Sequence, residues 1–127
     1  MKEETGTFPD LDVVVVDEDP AWQRALRRGL AELGVRRIAC VASEAEAEHA
    51  IAESDRCVVL TEVSLGGVTL AGFSVAEAAH WAGAQPAFVT GCDRTRLERL
   101  RAVPFLVKAG LSRASLRALL RYLERDL

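Results

Sequence analysis

Six polar residues stand where apolar runs of this chain stop. Asp17, Glu18 and Asp19 follow Val13-Val14-Val15-Val16, Glu62 follows Cys57-Val58-Val59-Leu60-Thr61, Thr90 closes Pro86-Ala87-Phe88-Val89, and Lys108 follows Phe105-Leu106-Val107. Carboxylates in such a group can hold a hard cation through oxygen, and a hydroxyl beside an ammonium can meet an anion. Any one of these residues alone would be an ordinary loop residue. Four of five apolar runs ending in such groups argue for a single site.

The elements that must position them are legible from periodicity and caps. Leu11 to Val16, Arg37 to Val41, Cys57 to Thr61, Pro86 to Thr90 and Pro104 to Val107 read as strands, mostly as continuous apolar runs buried on both faces. Asp19 before Pro20 predicts a helix start, Trp22, Leu26, Leu30 and Leu33 form its stripe, and Gly34 ends it. Ser43 with Glu46 predicts a capping box for a helix to about Glu53. Further helices are expected from Phe73 to Trp81, from Asp93 to Arg101 and after Ser112, the last with Leu116, Leu119, Leu120, Leu123 and Leu127 on one side. The pattern is five strand–helix units in succession. It predicts an α/β domain of three layers, a doubly wound sheet of five parallel strands covered by helices on both faces. In such sheets the working residues gather at the carboxyl ends of the strands, where the polar residues stand.

The 127 residues suffice for one domain, read as residues 11–127 after a loose tail over 1–10. No apolar run is long enough to cross a bilayer, and the first ten residues lack the apolar stretch of a signal peptide. Cys40, Cys57 and Cys92 form no C-x-x-C pair and read as free thiols of a reducing cytoplasm. His49 and His80 have no ligand partners nearby in sequence. Net charge is −3, but residues 1–65 hold fourteen acids against seven bases and residues 66–127 five acids against nine bases. With an acidic total and no aromatics among the arginines, an acidic protein surface is a better partner than nucleic acid.

The residues now resemble the receiver domain of bacterial response regulators. Val14-Val15-Val16-Asp17-Glu18-Asp19-Pro20 is similar to that family's first strand with its metal-binding acid pair, and Leu60-Thr61-Glu62-Val63-Ser64-Leu65 to the stretch carrying its phospho-acceptor aspartate. Thr90-Gly91 resembles the switch hydroxyl, and Phe105-Leu106-Val107-Lys108 the switch aromatic and the lysine three residues later. The likeness covers Leu11 to Leu123 and implies strand order 2-1-3-4-5, as in flavodoxin/CheY-like folds, in a signalling module of the two-component type that is not an enzyme. Its departures define this chain. The acceptor position holds Glu62, the loop from Glu62 to Gly72 is two residues longer than usual with Gly66 where the family has proline, and Ala109 stands where the family has a proline after a cis bond. A cis bond before a non-proline costs about 2.5–4 kcal/mol, so Lys108–Ala109 is expected trans.

Glutamate projects its carboxylate roughly 1.3–1.5 Å, one carbon–carbon bond, beyond an aspartate. That places it in the space of a phosphoryl group, where about 1 Å of misplacement costs on the order of a hundredfold in rate. The same reach carries it towards Thr90 and Lys108. The sequence therefore predicts an atypical receiver that works without phosphorylation, held in one state by Glu62, with Phe105 turned inward. A site at Asp17, Glu18 and Glu62 that binds Mg²⁺ weakly and still takes phosphate is the alternative. No metal or other cofactor is otherwise expected. A haloacid-dehalogenase-type phosphatase shares the strand-Asp-x-Asp opening and a threonine and lysine. It is disfavoured by Ala21 and by the lack of any later strand for a second acid pair. Arg113, Arg117, Arg121 and Arg125 recur every four residues on the last helix, and Arg94, Arg96, Arg99 and Arg101 crowd the one before. The resemblance implies that these helices and the strand between them form a face for a protein partner or a second copy.

Overall fold

The structure is a computed structural model that describes residues 7–68, 70–91 and 103–127. The helix predicted from Asp93 to Arg101, with its four arginines, Leu97, Leu100 and Cys92, lies outside them. Five strands, β1 (Asp12–Val16), β2 (Arg37–Val41), β3 (Cys57–Thr61), β4 (Gln85–Thr90) and β5 (Phe105–Val107), form one parallel sheet in order β2-β1-β3-β4-β5, as predicted. Helices α1 (Pro20–Glu32), α2 (Glu44–Ala52), α3 (Ala71–Trp81) and α4 (Arg113–Glu124) cover it, and Lys108–Gly110 forms a single 3-10 turn.

Strand alternation divides the core. Val13, Val15, Val58, Leu60 and Val89 face α1 and α4 and pack with Leu26, Leu30, Leu116, Leu120 and Leu123. Val14, Val16, Cys57 and Val59 face α2 and α3 and pack with Ala47, Ile51, Val75 and Ala79. Each fully buried leucine or valine contributes about 1.5–3 kcal/mol, so a one-residue slip of β1 would be costly on both faces. Phe8 corrects the reading of residues 1–10 as a loose tail: it is buried in the α1–α4 layer with Leu11.

The caps follow the sequence with small shifts. Asp19 accepts from the Ala21 N–H and caps α1. Ser43 accepts from the Glu46 N–H at 3.2 Å, but the Glu46 carboxylate reaches the Ala42 N–H at 2.9 Å, one residue before the cap. Ser112 and Ser115 form a reciprocal box at the start of α4. At the opposite pole from the candidate site, Asp12 is buried, accepts from the Asp55 N–H at 3.0 Å and lies 3.4 Å from Arg37 Nε. Cys57 is a buried free thiol whose pKa burial, with the Asp12 charge, pushes up to about 11 despite a hydrogen bond from Ser54. It is inert at neutral pH.

The long loop after β3 is built by its glycines. Leu65 and Val68 exchange backbone hydrogen bonds at 2.8 and 3.2 Å, and Gly66 and Gly67 between them have φ of 58° and 76°. This is a two-residue hairpin turn of the type that demands positive φ at both central positions. Leu70 follows with φ of 68° and leads into α3, two residues earlier than Phe73.

Candidate functional site

Register assembles the site. Val16 pairs with Thr61, Thr61 with Phe88, and Thr90 with Val107, so Asp17, Glu62 and Lys108 each emerge one residue beyond a paired strand end. The Glu62 N–H bonds the Val16 carbonyl at 2.8 Å and the Asp17 N–H bonds the Val41 carbonyl at 3.0 Å, which fixes both backbones. Between the side chains lies the Lys108 ammonium, 2.7 Å from Asp17 Oδ2 and 3.1 Å from Glu62 Oε1. The Thr90 hydroxyl, fully buried, donates a short hydrogen bond to Glu62 Oε2, which also accepts from the Val63 N–H at 2.6 Å. The Gly91 N–H approaches Glu62 Oε1 at 3.3 Å.

Glu62 therefore has two protein donors on each oxygen. Burial pulls its pKa upward, but Thr90, the Val63 N–H and Lys108 outweigh it and hold the carboxyl below its ordinary value. For Lys108 burial works downward, and the hydrogen bonds and charges of Asp17 and Glu62 turn the net shift upward. Both groups are charged throughout the neutral range.

The three acids after β1 part company. Only Asp17 enters the pocket, and its Oδ1 accepts from the Asp19 N–H at 2.9 Å. Glu18 is exposed and accepts from the Gly66 N–H at 3.0 Å, tying the hairpin to the β1–α1 turn, and Asp19 is spent on the α1 cap. This donor set does not suit a divalent cation. A lysine ammonium stands between Asp17 and Glu62, Glu18 is turned away, and among the described residues no group of three acids, cysteines or histidines is arranged to hold a metal. The alternative of a weak Mg²⁺ position at Asp17, Glu18 and Glu62 does not match this arrangement of side chains.

Two residues of α1 outside the polar set also border the site. Gln23 Nε2 donates to the Asp17 and Val41 carbonyls at 2.6 and 3.2 Å, joining the ends of β1 and β2. The Trp22 ring lies 4.9 Å from Lys108 Nζ, a cation–π contact that covers the ammonium. Periodicity places Trp22 in the α1 stripe, and its position in the first turn, beside the acids, is what brings it to the site. Among the described residues no peptide bond is cis, so Lys108–Ala109 is trans as expected. Phe105, expected buried, is half-buried, beside Val63, Ala76, Phe88 and Val103. It lies on a three-residue strand at the sheet edge, with β4 as its one neighbour. The arginines Arg113, Arg117, Arg121 and Arg125 are exposed. Arg113 pairs with Glu32 of α1 at 2.7 Å, and the Arg121 guanidinium lies 5.9 Å from the centre of the Phe8 ring.

No family model and no curated protein matches this chain. Solved structures do. The signal receiver domain of an HD domain-containing protein from Pseudomonas fluorescens is 16% identical, with a TM-score of 0.78 over 94% of this chain and 91% of that one. A response regulator receiver protein from Sinorhizobium medicae is 16% identical, with a TM-score of 0.76 over 91% and 94%. The anti-anti-sigma factor PhyR from Bartonella quintana, in a mutant form, is 14% identical, with a TM-score of 0.77 over 95% of this chain and 50% of that one. This chain thus spans about half the length of that PhyR. At these identities the likeness shows the fold, which is that of receiver domains.

Proposed function

We propose that this chain, with the fold of a response-regulator receiver domain, is a cytoplasmic signalling module that binds a protein partner and takes no phosphate. The observation that carries the reading is that Glu62 reaches Thr90 and Lys108 at once. In the receiver family a phosphorylated aspartate draws in the switch hydroxyl; here a longer side chain makes that contact without covalent modification, with one negative charge in place of about two. A charge-assisted hydrogen bond to a neutral hydroxyl is worth about 1.5–3 kcal/mol. Since 1.4 kcal/mol is a factor of ten, the contact is large enough to bias a balanced two-state equilibrium.

Glu62→Gln is expected to keep the fold and to weaken partner binding or self-association by roughly tenfold. Equal affinities for wild type and variant would mean that Glu62 is no mimic. In parallel, intact mass after exposure to a small phosphodonor with Mg²⁺ should be unchanged for the wild type. A phosphorylated wild type would favour the ordinary receiver chemistry instead.

The binding surface in this reading includes the exposed stripe Arg117, Arg121 and Arg125 of α4, whose guanidinium groups can meet carboxylates in bidentate fashion. Replacing Arg117 and Arg121 together by Glu should abolish association. If association survives the double change, the stripe is only a solvated surface.

A further inference from the structure

Trp22 is mounted on the site by contacts that leave Glu62 out. It stands in the first turn of α1, after Pro20 and Ala21, where the Asp19 cap fixes the turn through the Ala21 N–H. The next residue, Gln23, ties that turn to the sheet through the Asp17 and Val41 carbonyls at 2.6 and 3.2 Å. So mounted, the half-buried ring has its centre 4.9 Å from Lys108 Nζ. Among the described residues three groups hold that ammonium: Asp17 Oδ2 at 2.7 Å, Glu62 Oε1 at 3.1 Å and the Trp22 ring. Asp17 is engaged on its other oxygen as well, by the Asp19 N–H at 2.9 Å. The Lys108 side chain is only 13% exposed, and a cation–π contact gains strength where water is excluded.

In Glu62→Asp the carboxylate withdraws by about one carbon–carbon bond, roughly 1.5 Å. That removes one of the three contacts. The shorter contact to Asp17 and the Trp22 ring remain, because neither is built on Glu62. The charge on a transferring phosphoryl group has to be met by cations that reach its oxygens. An ammonium held on Asp17 and against a fixed ring is not free to follow it. From this geometry we infer that Trp22 is a positioning residue that keeps the site from taking phosphate, in addition to Glu62, by holding Lys108 on Asp17. Glu62→Asp alone therefore does not make this chain a phosphate acceptor. The inference rests on the reading that the chain takes no phosphate, and it names a second determinant of that refusal.

The test uses acetyl phosphate as donor in Mg²⁺ buffer. In the step it follows, a carboxylate oxygen at position 62 bonds to phosphorus, the bond from phosphorus to the acetyl oxygen breaks, and acetate leaves with the electron pair. Intact mass with peptide mapping reads the adduct at that position. Glu62→Asp should stay essentially unmodified, and Glu62→Asp/Trp22→Leu should gain on the order of tenfold or more in initial rate. Glu62→Asp/Trp22→Phe, which keeps a ring face for the ammonium, should behave like Glu62→Asp. Trp22→Met is a second ring-free change, adaptable enough to fill the gap, should Trp22→Leu lower the urea midpoint. A Glu62→Asp variant modified as fast as the ring-free double variants overturns the inference and leaves Glu62 as the whole block. Refusal by both ring-free double variants overturns it too, as does equal modification of the Phe and Leu double variants, since then the ring face does not matter. Phosphorylation of the wild type is a different failure: it removes the reading on which the inference stands.

Discussion

Lys108→Met lowers stability by about 3–5 kcal/mol at pH 7, the cost of leaving buried charge without its partner. Two carboxylates depend on this ammonium, and the side chains of Lys108 and Asp17 are only 13% and 4% exposed. Surface screening therefore removes little of the effect. The pH dependence gives the sign. Glu62 titrates below its ordinary value in the folded chain, so its contribution is present above its unfolded pKa and is lost as pH falls through the folded one. Lys108 titrates above its ordinary value, so its contribution is present below its unfolded pKa and is lost as pH rises through the folded one. In Lys108→Met the deficit shrinks towards acid pH, because protonation discharges the stranded Glu62 carboxylate. Urea titrations of wild type and variant at pH 7 and near pH 4 measure both effects. A deficit under about 1 kcal/mol at pH 7, the size of an exposed ion pair, would show that water does the work assigned to Lys108.

Gly72→Ala costs about 3 kcal/mol, the upper end of the range for overpacking. A Cβ at this position would stand 2.0 Å from the Glu62 carbonyl oxygen and 2.9 Å from Val63 Cα. Those are backbone atoms and cannot rotate away, and the Gly72 N–H is bonded to the Val63 carbonyl at 2.7 Å. Either α3 moves or the stretch carrying Glu62 does, so the Thr90 contact should loosen as well. Gly66→Ala is the control. Its Cβ would meet nothing within 4 Å, and its cost is that of a left-handed φ, roughly 1–2 kcal/mol. Comparable urea midpoints for the two variants would mean that the close approach at Gly72 relaxes easily.

How much of this was written in the chain depends on the range of the interaction. β2 and β3 have the predicted bounds because β-branched runs and caps act locally. The strand ends were legible too: once a parallel sheet is inferred, Asp17, Glu62, Thr90 and Lys108 must share an edge, and they do. Competition for a side chain was harder to read. Asp19 could be both a helix cap and a pocket acid, and the adjacent Ala21 N–H won it. Glu18 is taken by Gly66, in a hairpin whose turn signal is the Gly-Gly pair between Leu65 and Val68. Gln23 and Gly72 matter through backbone atoms of other elements. Only the three-dimensional course of the chain brings those atoms near.

The lysine that balances this site has a consequence for biosynthesis. Asp17 and Glu62 follow β1 and β3, inside the sheet, while Lys108 comes in at its edge, directly after β5. On the ribosome, where chains emerge amino end first at about 5–20 residues per second, the two acids leave the exit tunnel before their counter-ion exists outside it. A nascent chain that closed β1 on β3 early would enclose two like charges with nothing between them. Until β5 docks, these two acids have no lysine between them, so the docking of β5 brings in the charge that the finished site requires.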